Sequence, residues 1–174
     1  PITLVCAPAG YGKTNLLIEW ARSTRSRVAW LTFDSADNDH DFLYRYLISA
    51  LQTLEPQIGE EAIDLIQAAK GSGALTNSIA NLGLTQLINE LSLLPREIIL
   101  VLDNFQALEE PNKLRSASLF LRNLPSTLRV VIASRSEPDL DLAKLRAKGQ
   151  LTEIGADDLR FTEKEAGLFF QHSM

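Results

Sequence analysis

Residues 2 to 14 read Ile2-Thr3-Leu4-Val5-Cys6-Ala7-Pro8-Ala9-Gly10-Tyr11-Gly12-Lys13-Thr14, and this stretch decides the fold. Its first five residues are apolar or β-branched, the pattern of a buried strand. The next eight turn through small residues and two glycines to a Lys-Thr pair, and Leu16, Leu17, Trp20 and Ala21 follow at helical spacing. Strand, glycine-rich turn and helix in that order make a phosphate-binding loop. The glycines let successive backbone N–H groups point inward, the helix start adds the positive end of its dipole, and Lys13 adds a full charge for β and γ phosphates. Ala9, Gly10, Tyr11, Gly12, Lys13, Thr14 and Asn15 are therefore the candidate phosphate-binding residues, and Thr14 is also a candidate Mg²⁺ ligand. Ala7 stands where the pattern usually has its first glycine, a position that asks for a small residue. Tyr11 either covers the phosphates or faces solvent.

Outward from this loop, short β-branched runs alternate with longer stretches of helical period, which predicts an α/β fold with a parallel sheet. The expected strands are 2–6, 28–33, 98–102, 129–133 and 151–154. Those at 98–102 and 129–133 are continuously apolar except at their edges, as central strands covered on both faces should be. Two further stripes, Phe42, Leu43, Tyr46, Leu47, Ala50, Leu51 and Leu54, then Leu84, Leu87, Ile88, Leu91 and Leu94, predict helices that bury one face, the second stopped by Pro95. Residues 70–83, small, polar and carrying three glycines, read as a flexible connection. No repeat of 20–50 residues is present. Thr162-Glu163-Lys164-Glu165 has capping-box spacing and introduces a helix with Ala166, Phe169 and Phe170. Residues 1–154 are thus expected to form one nucleotide-binding domain, and 155–174 the start of a helical lid.

A triphosphate on such a loop needs a metal, held by an acid at the end of a neighbouring buried strand. Ile98-Ile99-Leu100-Val101-Leu102-Asp103 supplies it, with Asp103 at the C-terminal tip where open α/β sheets bind ligands. Asn104 follows in place of a second acid, and an amide orients a water but does not deprotonate it. Binding should survive this change, while hydrolysis should either be slow or rely on Glu109, Glu110 or Asp34. The strand Val130-Val131-Ile132-Ala133 ends in Ser134-Arg135, where a guanidinium would meet the γ-phosphate and distinguish triphosphate from diphosphate. The alternative is a surface Arg135 paired with Glu137.

The 174 residues include 22 acidic against 17 basic side chains, a net charge of −5, a single cysteine and 45% hydrophobic residues. These values place the chain among ordinary globular domains that need no disulfide or structural zinc. The negative charge argues against broad capture of nucleic acid or an anionic membrane by this segment. No run of about 18 apolar residues and no signal peptide is evident, which predicts a cytoplasmic location. The chain opens directly on a strand pattern and closes on a helical one, so it reads as a piece of something larger. Cys6 should be a small buried hydrophobe rather than a reactive thiol. His40 and His172 lack partners at zinc-ligand spacing. Asp34, Asp37, Asp39 and Asp41 read as caps for the helix starting near Asp41 rather than a calcium loop. Trp20 and Trp30 should lie in the core.

Taken in order, these motifs resemble the nucleotide-binding (NOD/NACHT-like) domain of the STAND class of P-loop ATPases, and more closely the MalT-like large regulators of the LuxR family. The resemblance spans nearly the whole chain. It rests on Ala7 to Thr14, on Val28-Ala29-Trp30-Leu31 with Asp37-Asn38-Asp39 and Phe42, on Val101 to Phe105, on Ala133-Ser134-Arg135, and on Leu145-Arg146 through Gly149-Gln150-Leu151 to Asp158-Leu159-Arg160-Phe161-Thr162. It implies a three-layer P-loop NTPase fold of the ASCE/AAA-like kind, with a five-stranded parallel sheet of order 5-1-4-3-2. It also implies an ATP/ADP switch in which ATP, with an inducer, supports self-association. By this resemblance Lys13 and Thr14 hold the phosphates and Mg²⁺, Asp103 is the Walker B acid bound to Mg²⁺ through water, and Arg135 is the sensor. Asn104 and Gln106 depart from the usual acid and the frequent histidine. DNA contact would belong to a C-terminal domain outside these residues. A nucleotide-gated binding and oligomerisation module without significant hydrolysis is an alternative, as is the ATPase of another STAND signalling protein; a small-molecule kinase would require an arginine-rich lid and a substrate pocket.

Overall fold

A computed structural model of the chain describes residues 1–34, 42–71 and 76–160. The elements are β1 (Ile2–Cys6), α1 (Lys13–Ser23), β2 (Arg27–Thr32), α2 (Phe42–Gln52), α3 (Glu60–Gly71), α4 (Thr76–Ser92), β3 (Ile98–Asp103), a 3-10 turn (Phe105–Ala107), α5 (Pro111–Arg122), β4 (Leu128–Ser134), α6 (Leu142–Ala147) and β5 (Leu151–Ile154). The strands form one sheet of order β2-β3-β4-β1-β5, every neighbouring pair parallel. Read from the other edge this is 5-1-4-3-2, the order the resemblance implies, in a three-layer P-loop NTPase fold.

Period-two alternation divides the strand side chains between two cores. Ile2, Leu4, Ala29, Leu31, Ile98, Leu100, Leu102, Leu128, Val130 and Ile132 join the larger core, which also takes in buried residues of α2, α3, α4, α5 and α6. Val5, Ile99, Val101, Val131 and Ala133 face the other way, onto Leu17 of α1, with Trp20, Val28, Trp30, Ile154 and Leu159 packed around them. β3 is buried at every position from Ile98 to Asp103, as its unbroken apolar run requires. Pro111 stands at the start of α5, where its missing N–H costs nothing.

The register decides where the site lies. Cys6 pairs with Ser134 and Thr32 with Asp103, so β1, β2, β3 and β4 end together at one edge of the sheet. Everything that follows these four ends is delivered to one place.

Several expectations are corrected. The 70–83 segment is not one loop: α3 runs to Gly71 and α4 begins at Thr76, eight residues before the apolar stripe at Leu84. Tyr46 is 41% exposed and Leu16 43%, whereas Tyr44 and Ile48 take the buried positions on α2. Cys6, Trp20 and Trp30 are half-buried rather than fully in the core. The Asp37, Asp39 and Asp41 cluster, His40, the capping box at Thr162 and the helix bearing Phe169 and Phe170 lie outside the described residues, as does His172.

Candidate functional site

The turn after β1 takes its shape from two glycines. Gly10 has φ +86° and Gly12 φ +73°, the left-handed region that L side chains rarely adopt. A Cβ placed on either would meet no heavy atom within 4 Å. Backbone conformation therefore selects glycine here, and the space in front of the turn is open. Gly12 caps α1 without a side-chain hydrogen bond, and its carbonyl accepts the Leu16 N–H at 2.9 Å. The first backbone N–H groups of α1 are left without partners inside the helix, which is what an anion needs.

Ala9, Gly10, Gly12, Lys13, Thr14 and Asn15 line a cavity of about 210 Å³ together with Asp103, Asn104, Gln106, Ala133 and Arg135. The structure thus brings together residues from the ends of β1, β3 and β4. Tyr11 is half-buried and does not line this cavity. The Lys13 ammonium donates to the Ala7 carbonyl at 2.6 Å and to the Pro8 carbonyl at 3.0 Å. Burial first, and the Arg135 guanidinium second, hold its pKa below the usual lysine value. Two cations facing one cavity form a place whose repulsion an anion relieves.

Asp103 is buried at the tip of β3. The Thr14 hydroxyl donates to both its carboxylate oxygens, at 3.0 and 3.2 Å, and the Asn104 N–H donates to one of them at 2.9 Å. Thr14 Oγ1 and the Asp103 carboxylate are hard oxygen donors side by side, which suits Mg²⁺. No group of three or more His, Cys, Asp or Glu that would hold a metal occurs among the described residues. An ion here would need phosphate oxygens to complete its shell, as Mg²⁺ in NTPase sites does.

Asn104 sits at φ +57°, opening the 3-10 turn. Asparagine is among the few residues that accept this conformation. Its Nδ2 donates to the Phe33 carbonyl just past β2 at 2.8 Å, and its Oδ1 accepts from Gln106 Nε2. Gln106 Oε1 in turn accepts the Arg135 N–H at 3.0 Å. This bridge was invisible in the sequence, where Gln106 registers only as a departure from the family's frequent histidine. Arg135 is exposed and lines the cavity. Glu137 ion-pairs with Arg146 at 3.0 Å, an arginine that Glu153 also holds at 2.7 Å. The Cys6 thiol is pushed up by burial, which favours the unreactive protonated form.

No protein-family model matches the chain. It is 36% identical over 169 residues to the HTH-type transcriptional regulator MalT of Cronobacter sakazakii, an alignment covering 97% of the chain and 18% of that protein. Among solved structures it is similar to the Aeropyrum pernix ORC1 protein in complex with DNA (TM-score 0.50, 18% identity), covering 98% of this chain and 42% of that one. It is also similar to a chain of Drosophila ORC bound to AT-rich DNA and Cdc6 (TM-score 0.52, 16% identity), covering 95% and 51%. At these identities the structures speak for the fold alone. The sequence relationship and the phosphate-loop architecture agree, and the chain belongs with the MalT-like P-loop NTPase domains.

Proposed function

We propose that these residues form the nucleotide switch of a bacterial transcription regulator of the STAND class and LuxR family, binding ATP or ADP with Mg²⁺ and hydrolysing ATP slowly. Residues 1–154 would be the nucleotide-binding domain and 155–174 the opening of a helical lid. The observation that carries this reading is the convergence of Lys13, Asp103 and Arg135, from three different strand ends, on one cavity in front of a glycine turn. The turn at Gly10 and Gly12 and the start of α1 bind phosphate oxygens, and Lys13 neutralises the β and γ phosphates. Thr14 and Asp103 hold Mg²⁺, which when bound spreads the charge of the phosphates. Arg135 contacts the γ-phosphate and so reads triphosphate against diphosphate.

Nucleotide state would control self-association of the parent protein. DNA contact, suggested by the regulator relative, is assigned to a part of that parent outside this acidic chain. The place of action would be the cytoplasm; among the described residues no helix is long and apolar enough to cross a membrane.

A second reading, a nucleotide-gated module without significant turnover, is favoured by Asn104. Both ends of its amide are engaged, and an amide does not take a proton from water. The test of the common ground is calorimetric titration of the chain with MgATP and MgADP. Lys13→Ala should abolish measurable binding, and wild-type affinity in that variant would remove the phosphate-loop assignment. Phosphate release by the wild-type chain then separates slow turnover from none.

A further inference from the structure

We propose that Gln106 is a positioning residue which sets Arg135, and with it the preference for triphosphate over diphosphate, through a hydrogen-bond relay of fixed direction. The inference rests on the nucleotide-site reading above and assigns a role to a cavity-lining residue that this reading leaves without one.

The direction follows from the two ends. Phe33 presents a backbone carbonyl, which only accepts, and Arg135 presents a backbone N–H, which only donates. Two side-chain amides lie between them. Asn104 must turn its Nδ2 to Phe33, leaving Oδ1 to accept; Gln106 must then turn its Nε2 to Asn104, leaving Oε1 to accept from Arg135. Neither amide can flip without setting acceptor against acceptor or donor against donor. The relay ties the ends of β2, β3 and β4 together.

The fold holds Gln106 firmly enough for this. Its neighbour Phe105 is 1% exposed and packs edge to face on Phe33, with ring centroids 5.4 Å apart. The Ala107 N–H closes the 3-10 turn on the Asn104 carbonyl at 2.9 Å. Arg135 itself is exposed, so the bond to its backbone N–H is the constraint that Gln106 adds at the root of a long, exposed side chain.

Substitutions at 106 can therefore be sorted by donors and acceptors rather than by size. Methionine keeps the length and removes both. Neutral histidine has one donor nitrogen and one acceptor nitrogen, so it preserves the direction.

The experiment is titration of the whole chain with MgATP and MgADP at pH 8, where an unperturbed imidazole is neutral. Gln106→Met should lower the ATP-to-ADP affinity ratio about three- to tenfold, the weight of one hydrogen bond, by weakening ATP and leaving ADP alone. Gln106→His should bring the ratio back to within about twofold of wild type, a rescue that a merely space-filling role would not give. In an Arg135→Ala background, Gln106→Met should change the ratio no further. An unchanged ratio in Gln106→Met, an equal loss of both nucleotides, no rescue by histidine, or a further loss in the Arg135→Ala background each overturns the proposal. A wild-type chain that binds neither nucleotide, or a Lys13→Ala variant that binds normally, sinks the nucleotide reading first and this inference with it.

Discussion

Lys13 carries the most direct link between charge and binding. Burial, and then the nearby Arg135, hold its ammonium below the ordinary 10.5. A bound phosphate favours the charged form and raises that value. Affinity is therefore greatest below the free-state pKa and is lost as pH climbs through it, in a window that opens below 10.5. Titrations from neutral pH into the alkaline range should show this fall, and Arg135→Ala should move it to higher pH; affinity that stays flat across the range would contradict the coupling. Asn104 gives a second residue-scale prediction. Restoring an acid there looks from sequence like a route to faster hydrolysis. In the structure, Asn104→Asp places a carboxylate against the Phe33 carbonyl in place of a donor. The variant should lose about 1–3 kcal/mol of stability without gaining turnover, measured by denaturant unfolding and phosphate release. A faster, equally stable variant would mean that position 104 is open to serve as a base.

At the scale of elements, the strands were legible because burial on both faces writes itself as an unbroken apolar run, as in Ile98 to Leu102. The phosphate loop was legible because its backbone needs glycine whatever lies around it. Helices α3 and α4 were harder to read. Gly83 looks like a loop residue, yet it lies inside α4, where a Cβ would come within 2.2 Å of Ile66 Cδ1 and 2.6 Å of Ile66 Cγ1. The glycine lets two helices approach, a reason that no local pattern reveals. The start of α3 is likewise capped from a distance: the Glu90 carboxylate accepts the Gly59 N–H at 2.6 Å and the Ala62 N–H at 3.0 Å. Gln106 is the same lesson in the site, since its partners come from other strands. Gly83→Ala should therefore destabilise the fold by about 1–3 kcal/mol, the usual cost of overpacking, despite the better helix propensity of alanine. Ile66→Ala should cost less in the Gly83→Ala background than it does alone, because the pair is in direct contact and the added methyl fills part of the space left. If Gly83→Ala raises the melting temperature, propensity outweighs packing and the close approach is softer than its distances indicate.

Across the whole molecule, the larger core on one face and the α1 layer on the other leave ligand chemistry to the edge where four strands end. The cavity there holds about 210 Å³, below the roughly 300–1,000 Å³ of pockets that enclose a drug-sized ligand. Among the described residues its lining is glycine, alanine and polar or charged side chains, with no aromatic ring to stack on a base. On the proposed reading it would take the phosphates, and the nucleoside would extend beyond it. Binding by this chain should consequently be decided by the number of phosphates more than by the identity of the base. Ligand that binds only the folded state stabilises it by about 2.7 kcal/mol at a hundredfold excess over Kd, so the comparison can be made by thermal melting. With Mg²⁺ present, ATP and GTP at equal concentration should raise the melting temperature by similar amounts, corresponding to affinities within about threefold, and ADP should raise it less. Lys13→Ala should remove all three shifts. Stabilisation by ATP with none by GTP would show that the base is gripped by side chains outside this cavity, and would assign to them the larger share of the binding energy.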